Sequence, residues 1–429
     1  MDVSAATARR PGRPIQLLAP LRHRDFRLLW TGMSVSLLGD GILLVALAWQ
    51  TYSLSNAPAA MSAVGVALSV PQVALLLLGG VVSDRFDRRR VMLVSDLVRA
   101  GCLGTLALLA ISGNMALWHL FVLAAGYGGA SGFFGPAFDA VVPDLVPEND
   151  LAQANALDQF IRPAAMQIAG PAVGGGLIAV GGAGLGFAVD ALSFVVSSVC
   201  LIRMRPPRTG RAAGPSSMWC ELREGLGYVR RNVWLWGTFA AATLAYLLFL
   251  GPTEVLLPYV VKNVLHGSPA ALGLILASGG LGAVLAAFAV GQAGVPTSFV
   301  TFMYVCWTLA TLAVAGYGLA HQSWQLALAC AAVNGLEAAG TIAWAGAKQR
   351  LVPSHLLGRV SSIDWFVSIA LLPLSYAMAA PVAAAFGVQR TLVAVGVLGA
   401  LVTVAFLYLP GMRAAQRQTP VPDAAAAPA

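Results

Sequence analysis

Long uninterrupted apolar runs are the feature that most limits what this chain can fold into. Residues 60–83, 270–291 and 388–410 carry almost no charge, and each run reaches the roughly 20 residues that an α-helix needs to cross a hydrocarbon core. Only 10% of the residues are charged, against about 25% in a soluble domain. The composition excludes a soluble enzyme, a disordered chain and a fibrous protein. Because the runs do not alternate apolar and polar residues, we expect an all-α membrane protein and not a barrel.

Charge clusters and Gly, Pro or Asn turns divide the chain into twelve candidate transmembrane helices. The longest polar interruption separates two sets of six spans, and its second part, 220–231, is a candidate interfacial helix. The predicted spans are residues 28–53, 60–83, 91–112, 115–138, 152–179, 184–203, 235–260, 270–291, 299–320, 323–347, 359–386 and 388–410. The predicted domains are an N-terminal segment 1–27, a six-helix bundle 28–203, a linker 204–234, a second six-helix bundle 235–410 and a disordered tail 411–429.

A weak internal repeat supports two related halves. Leu145-Val146-Pro147 recurs 206 residues later as Leu351-Val352-Pro353, and Asp158 matches Asp364 at the same offset. The offset carries the end of the fourth predicted span onto the end of the tenth. Chance similarity between apolar segments is the alternative explanation.

Basic residues predict the orientation in the bilayer. Of the 26 Lys and Arg residues, 22 lie in the N-terminal segment, the loops that we assign to the cytoplasm and the C-terminal tail. Only Lys262 and Arg390 fall on the other side, and Arg99 and Arg162 fall within spans. The positive-inside rule places both termini in the cytoplasm of a multi-pass protein of the cell membrane. The net charge of +8 is explained by this asymmetry, so we expect the lipid bilayer as partner and no nucleic acid.

The loop after the second span carries a specific motif. It runs from Gly80 through Asp84-Arg85 to a basic cluster, and it resembles the loop signature of the major facilitator superfamily. The resemblance implies two six-helix bundles around a central cavity that opens to each side in turn. Asp87 stands where the signature has Gly. The charged residues of this motif can latch the bundles on the cytoplasmic face in one state, although topogenic charge is the simpler alternative. The candidate gating residues are Gly80, Asp84, Arg85, Arg88 and Arg89.

The fifth span contains a second motif, Gly170-Pro171-Ala172-Val173-Gly174-Gly175. It resembles the Gly-Pro-x-x-Gly-Gly motif of antiporter-type members, in which proline removes a backbone donor and glycines allow a kink and close packing. Glycine packing without a role in transport is the alternative. The segments 25–30 and 134–156 also resemble the drug, macrolide and enterobactin export branch of the superfamily. The resemblance of the glycine motif to antiporter-type members implies export in exchange for protons.

Ionisable side chains within spans are functional candidates, because each costs roughly 2.5–3.5 kcal/mol to insert. Asp40 lies near the middle of the first span between two glycines, where a carboxyl group is suited to binding and releasing a proton. Glu337 lies mid-span among small residues, and Glu254 follows Gly251-Pro252 in the seventh span. We predict Asp40 as the main proton carrier and the two glutamates as cavity carboxylates. Structural hydrogen bonding is the alternative for each of them.

Two further intramembrane charges occur on the fifth span. Asp158 and Arg162 are four residues apart, so they share one helix face and can form an internal ion pair; alternatively, Arg162 meets Asp40 or an anionic substrate. We expect a structural role for Asp96 and Arg99, and we place Asp190 near the outer face.

No sequence motif indicates an enzyme. There is no Walker-type phosphate loop, the five histidines are scattered, and the five cysteines form no close pair, so we expect no cofactor, metal or disulfide. We predict a monomeric secondary transporter that exports a moderately hydrophobic small molecule, such as a drug or secondary metabolite, in exchange for protons. The alternatives are a siderophore or lipid exporter of the same fold and a receptor or scaffold that transports nothing.

Overall fold

A computed structural model describes residues 16–205 and 218–417, and within them the chain forms helices and turns with no β-strand. The helices are α1 (Arg24–Leu54), α2 (Pro58–Arg85), α3 (Arg88–Ile111), α4 (Leu117–Leu145), α5 (Glu148–Ile161), α6 (Gly170–Arg203), α7 (Met218–Arg231), α8 (Val233–Tyr259), α9 (Pro269–Ala293), α10 (Phe299–Ala313), α11 (Ala315–Leu319), α12 (Ser323–Leu351), α13 (Ser354–Ala370), α14 (Leu372–Phe386) and α15 (Val388–Leu407). Short 3₁₀ helices cover Gln16–Arg22 and Met412–Arg417, and π-helical segments cover Arg162–Ala169 and Val260–Val264. The all-α membrane fold predicted from the sequence is confirmed.

Eleven helical segments of the described chain are long and apolar enough to cross a membrane. The longest, Asn149–Arg203, has 55 residues, or about 80 Å at 1.5 Å per residue, far more than one crossing needs. Gly182 interrupts it with a φ of 72°, a conformation open to glycine at little cost. The sequence predicts the turn between the fifth and sixth spans at this point, and the count of twelve crossings stays a prediction.

Most predicted span boundaries lie within about five residues of the observed helix ends, and three other differences stand out. Helix α4 runs to Leu145, seven residues beyond the predicted end of the fourth span. A helix, α7, occupies part of the predicted linker and includes most of the candidate interfacial segment. Residues Met412–Arg417, which we predict to belong to a disordered tail, form a 3₁₀ helix in which Met412 and Ala415 are buried. These two apolar side chains lie one turn apart and pack into the hydrophobic core of the second group.

The helices form two groups, one before residue 206 and one after residue 217. The first group is built on contacts of α1 and α3 with α6 and of α2 with α4, and the second on contacts of α9 and α10 with α12 and of α8 with α14 and α15. We call the end at which α1 begins and α2 finishes the arginine-rich end. The two groups meet through α1, α2, α6 and Arg162–Ala169 of the first group and α8, α9 and α14 of the second.

Hydrogen bonds between described residues of the two groups all lie at the end opposite the arginine-rich end. The Tyr52 hydroxyl donates to the Val255 carbonyl over 2.6 Å, and the Asn56 amide donates to Asn263 over 2.6 Å. The Lys262 ammonium donates to the Tyr52 carbonyl in the last turn of α1 over 2.5 Å, where a cation also offsets the negative end of the helix dipole. This conformation is therefore closed at the end opposite the arginines.

Candidate functional site

Asp40 lies on α1 inside the first helix group and not on its outer surface. Its carboxylate accepts a hydrogen bond from the Tyr127 hydroxyl of α4, and the side chain is only partly exposed. The two glycines that flank Asp40 allow neighbouring helices to approach α1 closely at this point. Gly39 faces α6, and Gly41 faces Gly170 and Pro171 at the start of α6. A carboxyl group held by a phenol in an apolar bundle can exchange a proton without losing its partner.

A second carboxyl group, Asp190 of α6, lies beside Asp40. Asp190 is fully buried, and it packs against Gly39 so closely that a Cβ atom there would overlap its carboxylate, with the Cγ atom only 3.0 Å away. Ser193 donates to Asp190 Oδ1 over 3.1 Å, while Oδ2 has no hydrogen-bond partner among the described residues. No role is predicted for Asp190 from the sequence because of its position toward the outer end of the sixth span, and the close approach at Gly39 brings it beside α1.

Arg99 of α3 is the buried cation of this region. Its guanidinium pairs with Asp96 over 2.5 Å and lies between the rings of Phe134 and Phe194, 4.5 and 4.2 Å from their centroids. It interacts electrostatically with Asp40 as well as Asp96. The ion pair agrees with the expected structural role of Asp96 and Arg99, which stays a prediction.

Two carboxyl groups of the second helix group repeat the arrangement seen at Asp40. Tyr246 of α8 donates to Glu337 of α12 over 3.1 Å, and Tyr376 of α14 donates to Glu254 of α8. Glu337 is partly buried, whereas Glu254 is exposed. Glu254 lies near the seam, by which we mean the surface where the two helix groups meet, since the ring of its partner Tyr376 packs on Gly65 of the first group. The three predicted carboxylates thus share a partner type but lie at three separate places.

Asp158 and Arg162 form the ion pair that their spacing allows. Arg162 Nε donates to both oxygens of Asp158, over 3.0 and 2.8 Å. Arg162 also begins the π-helical segment and is 44% exposed in its side chain. The ion pair with Asp158 is present in this conformation, and a contact of Arg162 with Asp40 stays a prediction.

The candidate gating loop holds helices of the first group together in this conformation. Arg88 donates to the Ala140 carbonyl and to Asp144 of α4, each over 2.8 Å, and Arg89 donates to the Ile202 carbonyl of α6 over 3.1 Å. Asp87, the departure from the signature, accepts a hydrogen bond from the Arg89 backbone amide and so caps α3.

The other loop residues have different surroundings. The Gly80 carbonyl accepts a hydrogen bond from Ser83 over 2.8 Å. Arg85 is exposed, and it makes no hydrogen bond or ion pair with any residue that the structure describes. Asp84 is also predicted to act in the gating loop, and its side chain lies outside the part of the molecule that the structure describes.

The glycine motif of the fifth span lies where three helices meet. A Cβ atom at Gly170 would lie 2.6 Å from the Gly41 Cα atom of α1, and one at Gly174 would lie 2.9 Å from the Ile42 Cα atom. Gly175 faces the other way, onto α9 of the second group, where a Cβ atom would lie 2.8 Å from the Pro269 carbonyl oxygen. Pro171 is buried at the start of α6, directly after the π-helical turn. The motif allows α6 to pack closely against α1 of its own group and against α9 of the second group.

Sequence reasoning missed the tyrosines and left Asp190 without a role. Tyr127, Tyr246 and Tyr376 lie 87, 91 and 122 residues from their carboxyl partners, so no local pattern connects them. A signal did exist for Asp190, because it shares the buried face of α6 with Ser193 and Ser197. A polar stripe at helical spacing in an apolar span indicates an inward face.

Solved structures of membrane transporters share this fold. The nucleoside transporter NupG matches with a TM-score of 0.67 at 13% identity, over 89% of this chain and 98% of that one. A bacterial homologue of the iron transporter ferroportin in an inward-facing state matches with a TM-score of 0.64 at 16% identity, over 90% of this chain and 99% of that one. At these identities the likeness shows the fold alone.

The family model described as transmembrane secretion effector matches residues 15–426, so the chain belongs to that family. Macrolide efflux protein A of Streptococcus pyogenes is 24% identical over 87% of this chain and 93% of its own length. Multidrug efflux pump Tap of Mycolicibacterium fortuitum is 27% identical over 87% and 93%. Enterobactin exporter EntS of Citrobacter koseri is 27% identical over 94% and 96%. The protein is a multi-pass membrane transporter and not an enzyme.

Proposed function

We propose that this transporter exports a moderately hydrophobic small molecule, such as a drug or secondary metabolite, in exchange for protons. The observation that carries the proposal is the Asp40–Tyr127 pair, a carboxyl group held inside the first helix group next to Asp190 and within reach of the charge of Arg99. A buried carboxyl group next to a second one and a guanidinium is sensitive to the arrival of a proton. The names of the relatives support export.

Alternating access supplies the mechanism. The hydrogen bonds between the groups lie at one end only, so rocking about the contacts of α6 with α9 would break them and open that end. We propose that the arginine-rich end faces the cytoplasm in the cell membrane, with both termini there, in accord with the positive-inside rule. We further propose that the transporter works as a monomer.

In this mechanism Asp40 exchanges the proton, and Glu337 and Glu254 line the path of the cargo from the second group. Arg85, Arg88 and Arg89 act with Asp84 as the cytoplasmic latch. Gly170, Pro171, Gly174 and Gly175 let the fifth span pack against both groups as they move.

A siderophore exporter is the second candidate. Arg162 favours it, because its side chain is 44% exposed and its Nε atom alone bonds Asp158, which leaves the rest of the guanidinium to an anionic cargo. Competition between anionic and neutral compounds for transport separates the two candidates. A receptor or scaffold would move no solute in the same vesicles.

The test is transport of labelled compounds in proteoliposomes with and without a pH gradient. We expect Asp40→Asn to lower gradient-driven transport at least about tenfold and to leave expression intact, because an amide carries no titratable proton. Asp25→Asn, at the start of the same helix and 25% exposed in its side chain, is the matched control and should transport normally.

Glu337→Gln, tested in parallel, shows whether the carboxyl group of the second group carries the proton instead. Normal gradient-driven transport by Asp40→Asn together with loss in Glu337→Gln would contradict the role of Asp40. Absence of transport of every compound by the native protein would contradict the proposed function itself.

A further inference from the structure

Several arginines gather around the last turn of α6 at the arginine-rich end. Arg24 of α1 donates to the Arg203 carbonyl over 3.2 Å, and Arg89 of α3 donates to the Ile202 carbonyl over 3.1 Å. A guanidinium at the last carbonyls of a helix satisfies free acceptors and offsets the negative end of the helix dipole. These contacts bring the starts of α1 and α3 to the end of α6, where Arg205 follows. We call Arg24, Arg89, Arg203 and Arg205 the α6-end cluster.

The charge of the α6-end cluster is not balanced by nearby acids. Asp25 lies 3.6 Å from Arg24 and accepts a hydrogen bond from the Arg205 backbone amide over 3.3 Å. Asp87, which caps α3, pairs with Arg90 at 3.7 Å, so that pair adds no net charge. Four guanidiniums against the carboxylate of Asp25 leave the cluster clearly positive.

The arginines of this cluster keep free donors. Each guanidinium has several N–H groups, and Arg24 and Arg89 each use one of them on a carbonyl. Arg203 and Arg205 are exposed, and their side chains make no hydrogen bond or ion pair with any residue that the structure describes. Residues 206–217, which continue the chain from this point, contain no Asp or Glu. Guanidiniums with free donors are suited to bidentate contacts with phosphate oxygens.

An apolar strip leads away from the cluster along two helices that pack against each other, α3 and α6. On α6, the exposed side chains Val195, Val199 and Ile202 share one face at helical spacing. On α3, Val94 and Leu97 are exposed as well. Positive charge at the end of the helices and apolar surface beside it match the order of groups in an anionic phospholipid, a phosphate above hydrocarbon chains.

The second helix group has no such cluster at the matching helix ends. The loop before α10, residues 294–298, carries no charge, and the last turn of α15 has no basic residue, whereas the last turn of α6 has Arg203. The positive-inside rule acts on both groups alike. Orientation in the bilayer therefore does not explain why the arginines collect at the end of α6.

From the α6-end cluster and the apolar strip we infer a binding site for one anionic phospholipid. Its phosphate binds the guanidiniums of the cluster, and its chains lie along α3 and α6. Basic residues between transmembrane helices at the cytoplasmic side are a known basis for recognising anionic headgroups. The occupant is a lipid and not a soluble anion, because the apolar strip adjoins the charge. The site takes neither cargo nor proton, so it goes beyond the proposed function and does not depend on it.

The test is equilibrium binding of lipid to the full-length protein in detergent, counted by native mass spectrometry. Dioleoyl phosphatidylglycerol is the anionic probe, and dioleoyl phosphatidylcholine, with the same chains and no net charge, is the matched zwitterion. We expect the native protein to bind one phosphatidylglycerol at least about tenfold more tightly than phosphatidylcholine. Added salt should narrow this difference, because exposed charges are screened. Equal affinity for the two lipids would overturn the inference.

Paired variants locate the site. Arg203→Gln combined with Arg205→Gln should weaken phosphatidylglycerol binding about tenfold or more and leave phosphatidylcholine binding unchanged. Neither side chain bonds a described residue, so the melting temperature should stay that of the native protein. Arg231→Gln combined with Arg413→Gln removes the same charge from exposed positions of the second group and should not change lipid affinity. An equal loss in both double variants would show a response to net charge alone and would overturn the site.

The apolar strip and the identity of the occupant are tested separately. Val199→Ser should weaken phosphatidylglycerol binding several-fold, whereas Val180→Ser, at an exposed position far from the cluster on the same helix, should not. Unchanged binding in Val199→Ser would contradict the placement of the chains. Displacement of phosphatidylglycerol by millimolar inorganic phosphate at constant ionic strength would overturn the lipid as occupant and assign the cluster to a soluble anion.

Discussion

At the scale of single residues, each of the three predicted carboxylates accepts a hydrogen bond from a tyrosine. The pairs are Asp40 with Tyr127, Glu337 with Tyr246 and Glu254 with Tyr376. The phenol donates a hydrogen bond to the carboxylate but leaves its charge in place, whereas an arginine at the same position would neutralise that charge. This choice of partner keeps each group free to change its charge.

One glycine determines how closely two of the carboxyl groups approach. We expect Gly39→Ala to destabilise the protein by about 1–3 kcal/mol, because the new methyl group would overlap the Asp190 carboxylate in a packed interior. The melting temperature in detergent measures the effect. Gly101→Ala on α3, where a Cβ atom meets nothing within 4 Å, is the control and should differ from the native protein by less than about 1 kcal/mol. Equal melting temperatures for the two variants would contradict the close packing at Gly39.

At the scale of elements, the sequence predicts where helices begin and end better than it predicts what they bury. Charge clusters and turns locate the spans because both are local signals. The carboxylates at 40, 254 and 337 are found because charge within an apolar run is also a local signal. Their tyrosine partners and the position of Asp190 beside Asp40 depend on contacts between helices that are about 90–150 residues apart in the sequence. The spacing of residues within a single span carries no information about such contacts.

Adjacent glycines of α6 offer a matched pair for testing the seam between the groups. Gly175→Ala would bring a methyl group to 2.8 Å from the Pro269 carbonyl oxygen, whereas Gly176 faces open space. We expect Gly175→Ala to push α6 from α9 and to raise the reactivity of a cysteine placed at position 56, measured by maleimide labelling. Gly176→Ala should leave labelling unchanged. The same labelling rate in both variants would show that the approach at Gly175 is not needed for closure.

The loop after α2 separates structural arginines from a gating candidate. Arg88→Ala loses bonds to Asp144 and the Ala140 carbonyl, so we expect a loss of about 0.2–1 kcal/mol of stability, the range for exposed ion pairs. Arg85→Ala loses no described bond, and its melting temperature should not change. If Arg85 acts when the groups close at this end, Arg85→Ala should slow turnover more than it weakens cargo binding. Native turnover in that variant would reduce Arg85 to topogenic charge.

At the scale of the whole molecule, the contacts between the groups define one conformation of a two-state cycle. We expect a disulfide between Asn56→Cys and Asn263→Cys, whose native side chains are hydrogen-bonded at 2.6 Å, to stop transport by holding that end closed. The experiment needs a background without the native cysteines, of which Cys102, Cys200, Cys306 and Cys330 are free thiols. Dithiothreitol should restore transport, and each single-cysteine variant should stay active. Full transport by the cross-linked protein would rule out opening at this end.

Asn56 and Asn263 meet through their side chains at that end, but two other hydrogen bonds there join a side chain of one group to a main-chain carbonyl of the other. Lys262 donates to the carbonyl of residue 52, and the Tyr52 hydroxyl donates to the carbonyl of residue 255. Every amino acid presents a carbonyl oxygen, so replacing the acceptor residue does not remove the acceptor. Pairwise covariation among relatives should therefore be faint for these two contacts, and an alignment-based contact map would underestimate the strength with which the two halves hold together there.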